Sequence, residues 1–548
     1  MPHADALWWP LEVVLERPSS RAGSVAIVSE AMPRAGDATR ITDARAISRL
    51  HRCWPDSAPS FVASFLPHAD IPTMKIQTLL LTAALGCFRA AGAAEWFVST
   101  GGSDANGNGS LAQPFRTLGH VLAPANAIVA AGDTVTLRGP AGNNTYEECE
   151  VRLRVPLTLR SHPGEMAHIH CDIANIDTVA VQIDPGASGS RLSRLEISGG
   201  YYYGVFLQTN WEQGANESGH GALDVIIEDS MIHDTGRDAI KITPHSDRAT
   251  IRRCEIWNSG AIYPPGTPLD DKNAEGIDNV NGSGMLVEDN WIHDTATTGV
   301  YFKGGAADVV VQRNRIENPG FAGILVGFDT SPEYFDLDEN PGYYEAVRGI
   351  VRNNIVVGGA YSGIGLYASR DVVVANNTII GTSALGHAAI YFGITFQDWD
   401  DNALRPANVN PTIRNNLVAQ DGRPCIAVRW SDELGGLSGL DGSPGTDHNA
   451  FHDAAGSCEF IDRRPGSPID GGGTLAEWRA HTGADVDSFE TALPLTPDGH
   501  LVAGNPAIDA GEPRGDVTDD IDGQPRSGPN DIGADELAGD AIFANGFD

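Results

Sequence analysis

Six residues in three short segments have the types and spacing to do chemistry together. They are Asp238 and Lys241 in Asp238-Ala-Ile-Lys-Ile, Glu275 and Asp278 in Glu275-Gly-Ile-Asp-Asn, and Tyr301 and Lys303 in Gly299-Val-Tyr-Phe-Lys. In each segment the central Ile or Val reads as an inward strand residue, so positions two before, one after and three after it face out. If the segments stack as neighbouring strands, Asp238 and Glu275 share one outward column. Lys241, Asp278 and Tyr301 then share a second, and Thr243, Val280 and Lys303 a third. Three carboxylates and two lysines would converge on one face, with Asp278 and Lys303 diagonal at about 8 Å between backbones. Such a set suits β-elimination from a uronic acid polymer. That reaction needs a base for the proton α to the carboxylate and an electrophile for the charge that develops. A calcium ion held by Asp and Glu oxygens can supply the second. A lysine can supply the first once its pKa falls below the ordinary ~10.4. Two rival readings use the same residues. Glu275 and Asp278 could pair as the carboxylates of a glycoside hydrolase, although lysines beside them are expected to lower their pKa and spoil a general acid. Alternatively the charges are surface ion pairs contributing ~0–1 kcal/mol each on a non-catalytic, carbohydrate-binding protein.

The elements that must position these residues follow from a repeat. From about residue 200 a Gly or Ala followed by alternating apolar residues recurs every 22–40 residues, as in Tyr203-Gly-Val-Phe-Leu, Ala322-Gly-Ile-Leu-Val and Ser362-Gly-Ile-Gly-Leu. Between these stand β-branched runs ending in a polar doublet, such as 285–292, 309–316, 349–356, 372–379 and 411–418. Strand-length runs at a fixed period predict a solenoid of stacked coils, an all-β fold. Aligned, the runs place Asn290, Asn314, Asn354, Asn377 and Asn416 in one column, with Ser230 and Cys254 at the same place in earlier coils. Amides stacked at about 4.8 Å can bond one to the next along the axis. This column resembles the interior ladder of pectate-lyase-like, single-stranded right-handed parallel β-helices. The segments around Trp96-Phe-Val-Ser-Thr, Gln113-Pro-Phe-Arg-Thr-Leu and Gly132-Asp-Thr-Val resemble the N-terminal module of secreted members, with its capping helix. Asn505-Pro-Ala-Ile-Asp-Ala-Gly, followed by 520–526 and 531–536, resembles the tail that closes many bacterial members.

Within that superfamily one resemblance is more specific. Asn273-Ala-Glu275-Gly-Ile-Asp278-Asn is similar to the Asp-Asp-Gly-Phe-Asp calcium motif of polysaccharide lyase family nine, and Gly299-Val-Tyr-Phe-Lys303-Gly-Gly resembles the segment carrying that family's lysine base. The resemblance implies calcium on Asp238, Glu275 and Asp278, with Lys303 as base and pectate as a substrate. The chain departs from the pattern at Ala274, where the family has an acid, at Glu275, and at Lys241, an extra cation. Lys241 with Arg237 could therefore neutralise the substrate carboxylate directly, as a basic residue does in alginate- and chondroitin-cleaving β-helix lyases. Insertions at 261–274 and 328–346 are expected to wall the cleft. Tyr334 and Tyr343 in the second, with Tyr301, Arg237 and His245, are placed as substrate contacts, and Trp211, Trp257 and Trp399 as possible sugar platforms. His233 and His293, each followed by Asp-Thr, are expected to serve turns.

Composition bounds the partners. Lys+Arg number 37 against 72 Asp+Glu, a formal charge of −35. That excludes nucleic acid as the main partner, and an acidic polysaccharide would need a cation or local basic cluster to reverse the field. Met74-Lys75, the apolar run 76–88 and small residues to Ala94 read as a signal peptide, too short to span a membrane. Residues 1–73 then read as an upstream extension, 95–430 as the β-helix, 431–538 as C-terminal coils and tail, and 539–548 as a short signature of exported gram-negative proteins. A secreted, monomeric protein is expected. Of the remaining cysteines, sequence proximity suggests Cys149–Cys171 and Cys425–Cys458, leaving Cys254 free; connectivity itself is not readable from sequence. No CxxC or His-rich spacing points to zinc or redox chemistry.

Overall fold

The β-branched runs are only three to five residues long and end in Asn, Asp or Gly, so each can make one short strand and then must bend. In the computed structural model, which describes residues 92–210, 221–395 and 405–537, these strands stack into three long parallel sheets of 12, 11 and 12 strands. Every long-sheet strand pairs with its counterpart one coil away, which makes the body a parallel β-helix. All described residues fall in one compact unit. Among them no helix is long and apolar enough to cross a membrane.

The 11-stranded sheet carries the candidate site. Its relevant strands are β1 (Tyr203–Leu207), β2 (Ile240–Ile242), β3 (Ile277–Val280), β4 (Val300–Lys303) and β5 (Ile324–Val326). Val205, Ile240, Ile277, Val300 and Ile324 are directly paired along the axis and fully buried, so one inward aliphatic column fixes the register. Each such side chain contributes about 1.5–3 kcal/mol of burial, and a one-residue slip would turn the column out to solvent. The Gly before the inward residue has a steric cause. A Cβ at Gly276 would meet the Gly299 carbonyl oxygen at 2.5 Å and an Ile292 methyl at 2.9 Å.

The polar doublets divide their labour. The first member, Asp289, Arg313, Asn353, Asn376 or Asn415, takes a left-handed backbone with φ between 52° and 58° and turns the chain between sheets. The second points inward. The Asn290 amide donates to Asn314 Oδ1 (2.9 Å), and the chain continues through Asn354, Asn377 and Asn416 at 3.0 Å per step. Cys254 N–H donates to Asn290 Oδ1, as the alignment of columns anticipated. The ladder also runs further than the sequence alignment carried it, to Asn449 and the Ser488 hydroxyl.

The two ends differ. Helix α1 (Leu118–Leu122) covers the first coils with Leu118, Val121 and Leu122 buried, as the N-terminal resemblance implied. The other end is closed not by the tail but by α2 (Leu475–Thr482), which has a Thr474/Glu477 capping box and a left-handed Gly483 C-cap. Its Trp478 is fully buried and donates from Nε1 to Asp485. The tail turns back along the coils instead. Asn353 Nδ2 donates to the Asp519 carbonyl, Asn376 Nδ2 to the Asp531 carbonyl, and Gly533 N–H to the Asn415 carbonyl. The left-handed doublet residues thus anchor the tail while their neighbours build the ladder. The disulfides are Cys149–Cys171 and Cys425–Cys458, and Cys254 is free and buried. The expected signal peptide to residue 91, the preceding extension, the signature from 539, Trp211 and Trp399 lie outside the described residues.

Candidate active site

Strands β2, β3 and β4 set Lys241, Asp278 and Tyr301 directly beside one another, and Val280 beside Lys303. Asp238 and Glu275 precede their strands and are stitched by Glu275 N–H donating to Asp238 Oδ1 at 3.2 Å. The columns inferred from spacing are therefore present. Their exposure is not as expected for a decorated surface. Asp238 and Asp278 are 0 % exposed, Glu275 6 % and Tyr301 3 %. The covering comes from the two insertions and from aromatic neighbours. Leu269 and Phe328 pack against the Tyr301 cluster, and Asn281 Nδ2 donates to the Tyr334 carbonyl at 2.7 Å. The bland reading of exposed ion pairs fails on burial alone.

Burial sets the electrostatics. Lys241 Nζ donates to Asp278 Oδ2 and lies 3.7 Å from Asp238 Oδ2, while Thr297 donates to Glu275 Oε1 at 2.9 Å. Asp238 Oδ2, Glu275 Oε2 and Asp278 Oδ1 have no hydrogen-bond partner. One oxygen from each of the three acids lies within 4.8 Å of the others. Burial, with the Glu275 carboxylate next, pushes Asp238 well above the usual carboxylate range, and burial with Asp278 raises Glu275. The expectation that the lysines would depress the paired acids is thus reversed for Glu275, because desolvation outweighs the ammonium charges. Burial works against the Lys241 ammonium too, but Asp278 and Asp238 more than offset it and hold it charged. Lys241 is therefore a locked cation in this arrangement, unsuited to accept a proton.

The fit to a hard cation can be tested on these atoms. Three buried carboxylates sharing one ammonium leave excess negative charge in a water-poor place, which several kcal/mol of penalty forbids unless protons or a cation neutralise it. One oxygen of each acid lies within 4.8 Å of the others, a spacing compatible with shared calcium–oxygen bonds of about 2.3–2.6 Å. The donor set fits calcium, with the Lys241 ammonium as its competitor for Asp238 and Asp278.

Lys303 is placed differently. Its Nζ donates to the Asp329 carbonyl at 2.7 Å and lies 4.5 Å from the Tyr301 ring centre, with no carboxylate within ion-pair distance among the described residues. Gly304 and Gly305 follow at φ 72° and 95°, turning the chain sharply away from β4. The sequence contains only four lysines, at 75, 241, 272 and 303, among 37 basic residues. The basic residues are mostly arginine, yet the two basic side chains of β2 and β4 at the cluster are lysine, the residue that can lose its proton.

The other expected contacts divide. The Arg237 guanidinium stacks 5.1 Å over Tyr202, and its Nε is buried without a partner. His245 lies just beyond β2 with a left-handed backbone, buried, and its Nε2 has no partner. Tyr334 is half-buried above the cluster through its carbonyl contact with Asn281. Tyr343, expected to stack on sugar, is engaged inside the insertion, with Phe335 edge-on at 4.6 Å and Arg405 at 3.8 Å over its ring. Trp257 sits on a different sheet, stacked between His233 and His293.

Sequence reasoning missed the support behind Lys303. Glu345 is fully buried and accepts from Arg405 Nε (2.9 Å), Gly304 N–H (2.9 Å) and the Thr330 hydroxyl (2.7 Å). Burial raises its carboxyl to about 7 against the pull of Arg405. This network ties the 328–346 insertion to the turn after the lysine. Nothing in local spacing could have found it, since Arg405 lies 60 residues from Glu345.

The coil architecture and this site define a right-handed parallel β-helix, and the model of the right-handed β-helix region matches residues 169–340. No curated protein matches the sequence. Among solved structures, the chain is similar to the pectate lyase Pel9A, with 14% identity, 82% of this chain and 97% of that one covered, and a TM-score of 0.48. It is also similar to XylC in complex with xylose (12% identity, 81% and 98% covered, TM-score 0.46). A third is the GH136 lacto-N-biosidase from Eubacterium ramulus (15%, 68% and 65%, TM-score 0.40). These are similarities of coil architecture, and none assigns a reaction to this chain.

Proposed function

We propose that this protein is an exported polysaccharide lyase that cleaves an acidic, uronate-containing polysaccharide such as pectate or alginate by β-elimination. The observation that carries the proposal is the pairing of Lys303, which makes no ion pair among the described residues, with a buried triad whose members each keep a carboxylate oxygen without a hydrogen-bond partner. Lys303 Nζ takes the proton α to the uronate carboxylate. The electron pair released forms the ring double bond, and the glycosidic oxygen leaves with its electrons and collects a proton. Asp238, Glu275 and Asp278 would hold calcium, which when bound supplies positive charge for the substrate carboxylate. Lys241, held charged, and Arg237 add positive potential at the same face, which a chain of net charge −35 needs in order to receive a polyanion. The two disulfides suit an oxidising, extracytoplasmic location.

A second reading has one observation in its favour. The raised pKa of Glu275 is what a glycosidase general acid requires. Against it, neither acid is open to a glycosidic oxygen, since Asp278 is fully buried and Glu275 nearly so.

The experiment is ultraviolet absorbance of the unsaturated product during incubation with polygalacturonate, alginate and glycosaminoglycans, with calcium or chelator, beside Lys303→Ala. Absorbance that rises with one polymer and is lost in the variant supports elimination and names the substrate. New reducing ends without absorbance would move the assignment to the carboxylate pair, and no turnover with retained binding would move it to a lectin-like role.

A further inference from the structure

On the outer face of one of the 12-stranded sheets, three consecutive coils bring together two histidines and a glutamate. The strands are Ala167–Cys171, Leu195–Gly199 and Met231–His233. Their register sets His168 beside Glu196 and His170 beside Ser198, with His233 next to Ser198 one coil on. We infer that His168, Glu196 and His233 form a binding site for a first-row transition-metal dication, with zinc the best-fitting ion, that staples these three coils.

Three observations carry it. Glu196 Oε1 lies 3.7 Å from His168 Nδ1 and 3.3 Å from His233 Nε2. Ligand atoms at zinc bond lengths of about 2.0–2.1 Å stand roughly 3.3–3.4 Å apart in a tetrahedron, so little movement is needed. Secondly, the remaining ring nitrogens are committed elsewhere. His233 Nδ1–H donates to Asp234 Oδ2 at 2.7 Å, and His168 Nε2 shares a hydrogen bond of 2.7 Å with Ser198 Oγ, which lies 2.8 Å from His170 Nδ1. With those nitrogens engaged, His233 Nε2 and His168 Nδ1 are the ring nitrogens turned to Glu196, and carboxylate and hydroxyl partners of this kind stand behind metal-bound imidazoles. Thirdly, ring stacking fixes the planes, with His233 4.1 Å from Trp257 at 10°. A fourth position is left for water.

The fold contains its own contrast. Two coils on, His293 bonds Asp294 at 2.8 Å and lies 3.4 Å from Glu255, repeating the His–carboxylate arrangement. There Met231 occupies the place that His168 has beside Glu196. With one imidazole fewer, that copy is not expected to hold metal.

The test is a titration of the calcium-saturated protein with zinc alone, and with cobalt for its visible absorption. One equivalent is expected at the coil site, with nitrogen-ligand absorption bands for cobalt. Glu196→Gln, which keeps shape and hydrogen bonding, should weaken binding at least about 10-fold, as should His168→Ala and His233→Ala. Asp234→Asn should weaken it roughly 10-fold, while Glu255→Gln leaves it unchanged. Zinc should also raise the thermal midpoint of the wild type and not of Glu196→Gln. Absence of a stoichiometric event, or one indifferent to Glu196→Gln and His168→Ala, overturns the site. Binding lost equally in Glu255→Gln would mean diffuse surface histidines and overturns it as well.

Discussion

Lys241 and Lys303 show how one residue type acquires two roles from its surroundings. Lys241 donates into the Asp278 carboxylate and is held charged, whereas Lys303 is tethered by a carbonyl and the faces of Tyr301 and Phe328. Under the proposed reaction Lys303→Ala should lower turnover by about 10²–10⁴-fold, and Lys303→Arg should not restore it, because a guanidinium does not give up its proton. Product absorbance in both variants checks this. Asp278→Asn removes the charge facing a buried ammonium, so a loss of stability of about 3–5 kcal/mol is expected in denaturant unfolding. Calcium should no longer raise the midpoint of that variant.

At the scale of elements, the doublets carry both bend and ladder. Asn354 accepts from Asn314, donates to Asn377 and also bonds the Val311 and Arg352 carbonyls. Asn354→Ala leaves buried donors and acceptors unmatched on both sides, and should cost about 1–3 kcal/mol or more. Asn353→Ala, one residue earlier, loses the contacts to the tail at Asp519 and should cost less. Comparing the two by urea denaturation separates interior ladder from outer clasp. The 328–346 insertion has the same logic, since Glu345 secures it to Gly304. Glu345→Gln should loosen the roof over Lys303 and weaken substrate affinity more than it alters the coils. A rise in KM with an unchanged far-ultraviolet circular dichroism spectrum would register this.

For the whole molecule, the buried acids couple stability to pH. Asp238, Glu275 and Glu345 have folded-state pKa values above those of ordinary carboxylates. Between the two values the folded chain binds more protons than the unfolded one, so their contribution is full in acid and declines as pH rises, for Glu345 up to about 7. A cation on the triad competes with those protons. Calcium should therefore raise the thermal midpoint more at pH 8 than at pH 5, and Asp238→Asn should flatten that difference. Scanning calorimetry with calcium or chelator at each pH decides it. Reducing the two disulfides, which close loops of 22 and 33 residues, should lower stability by about 3–4 kcal/mol apiece.

Much of this was legible in the sequence because a solenoid writes its tertiary contacts into its period. A coil pairs with the next at a nearly constant offset, so columns such as Lys241–Asp278–Tyr301 and Asn290–Asn314–Asn354 follow from alignment of the chain with itself. The cysteine pairs, close in sequence, were within reach for the same reason. What escaped was whatever depends on a side chain's surroundings or on contacts outside the period. Burial of Glu275 reversed its expected pKa direction, since desolvation is set by insertions folding over it. The tail's return along the doublets and the Glu345–Arg405 support join places that no local spacing relates. The sequence by itself determined the stacked coils and which side chains share a column. Only the tertiary structure decided which are buried, hence which charges are locked and which remain available for chemistry, because burial is a property of the whole assembly.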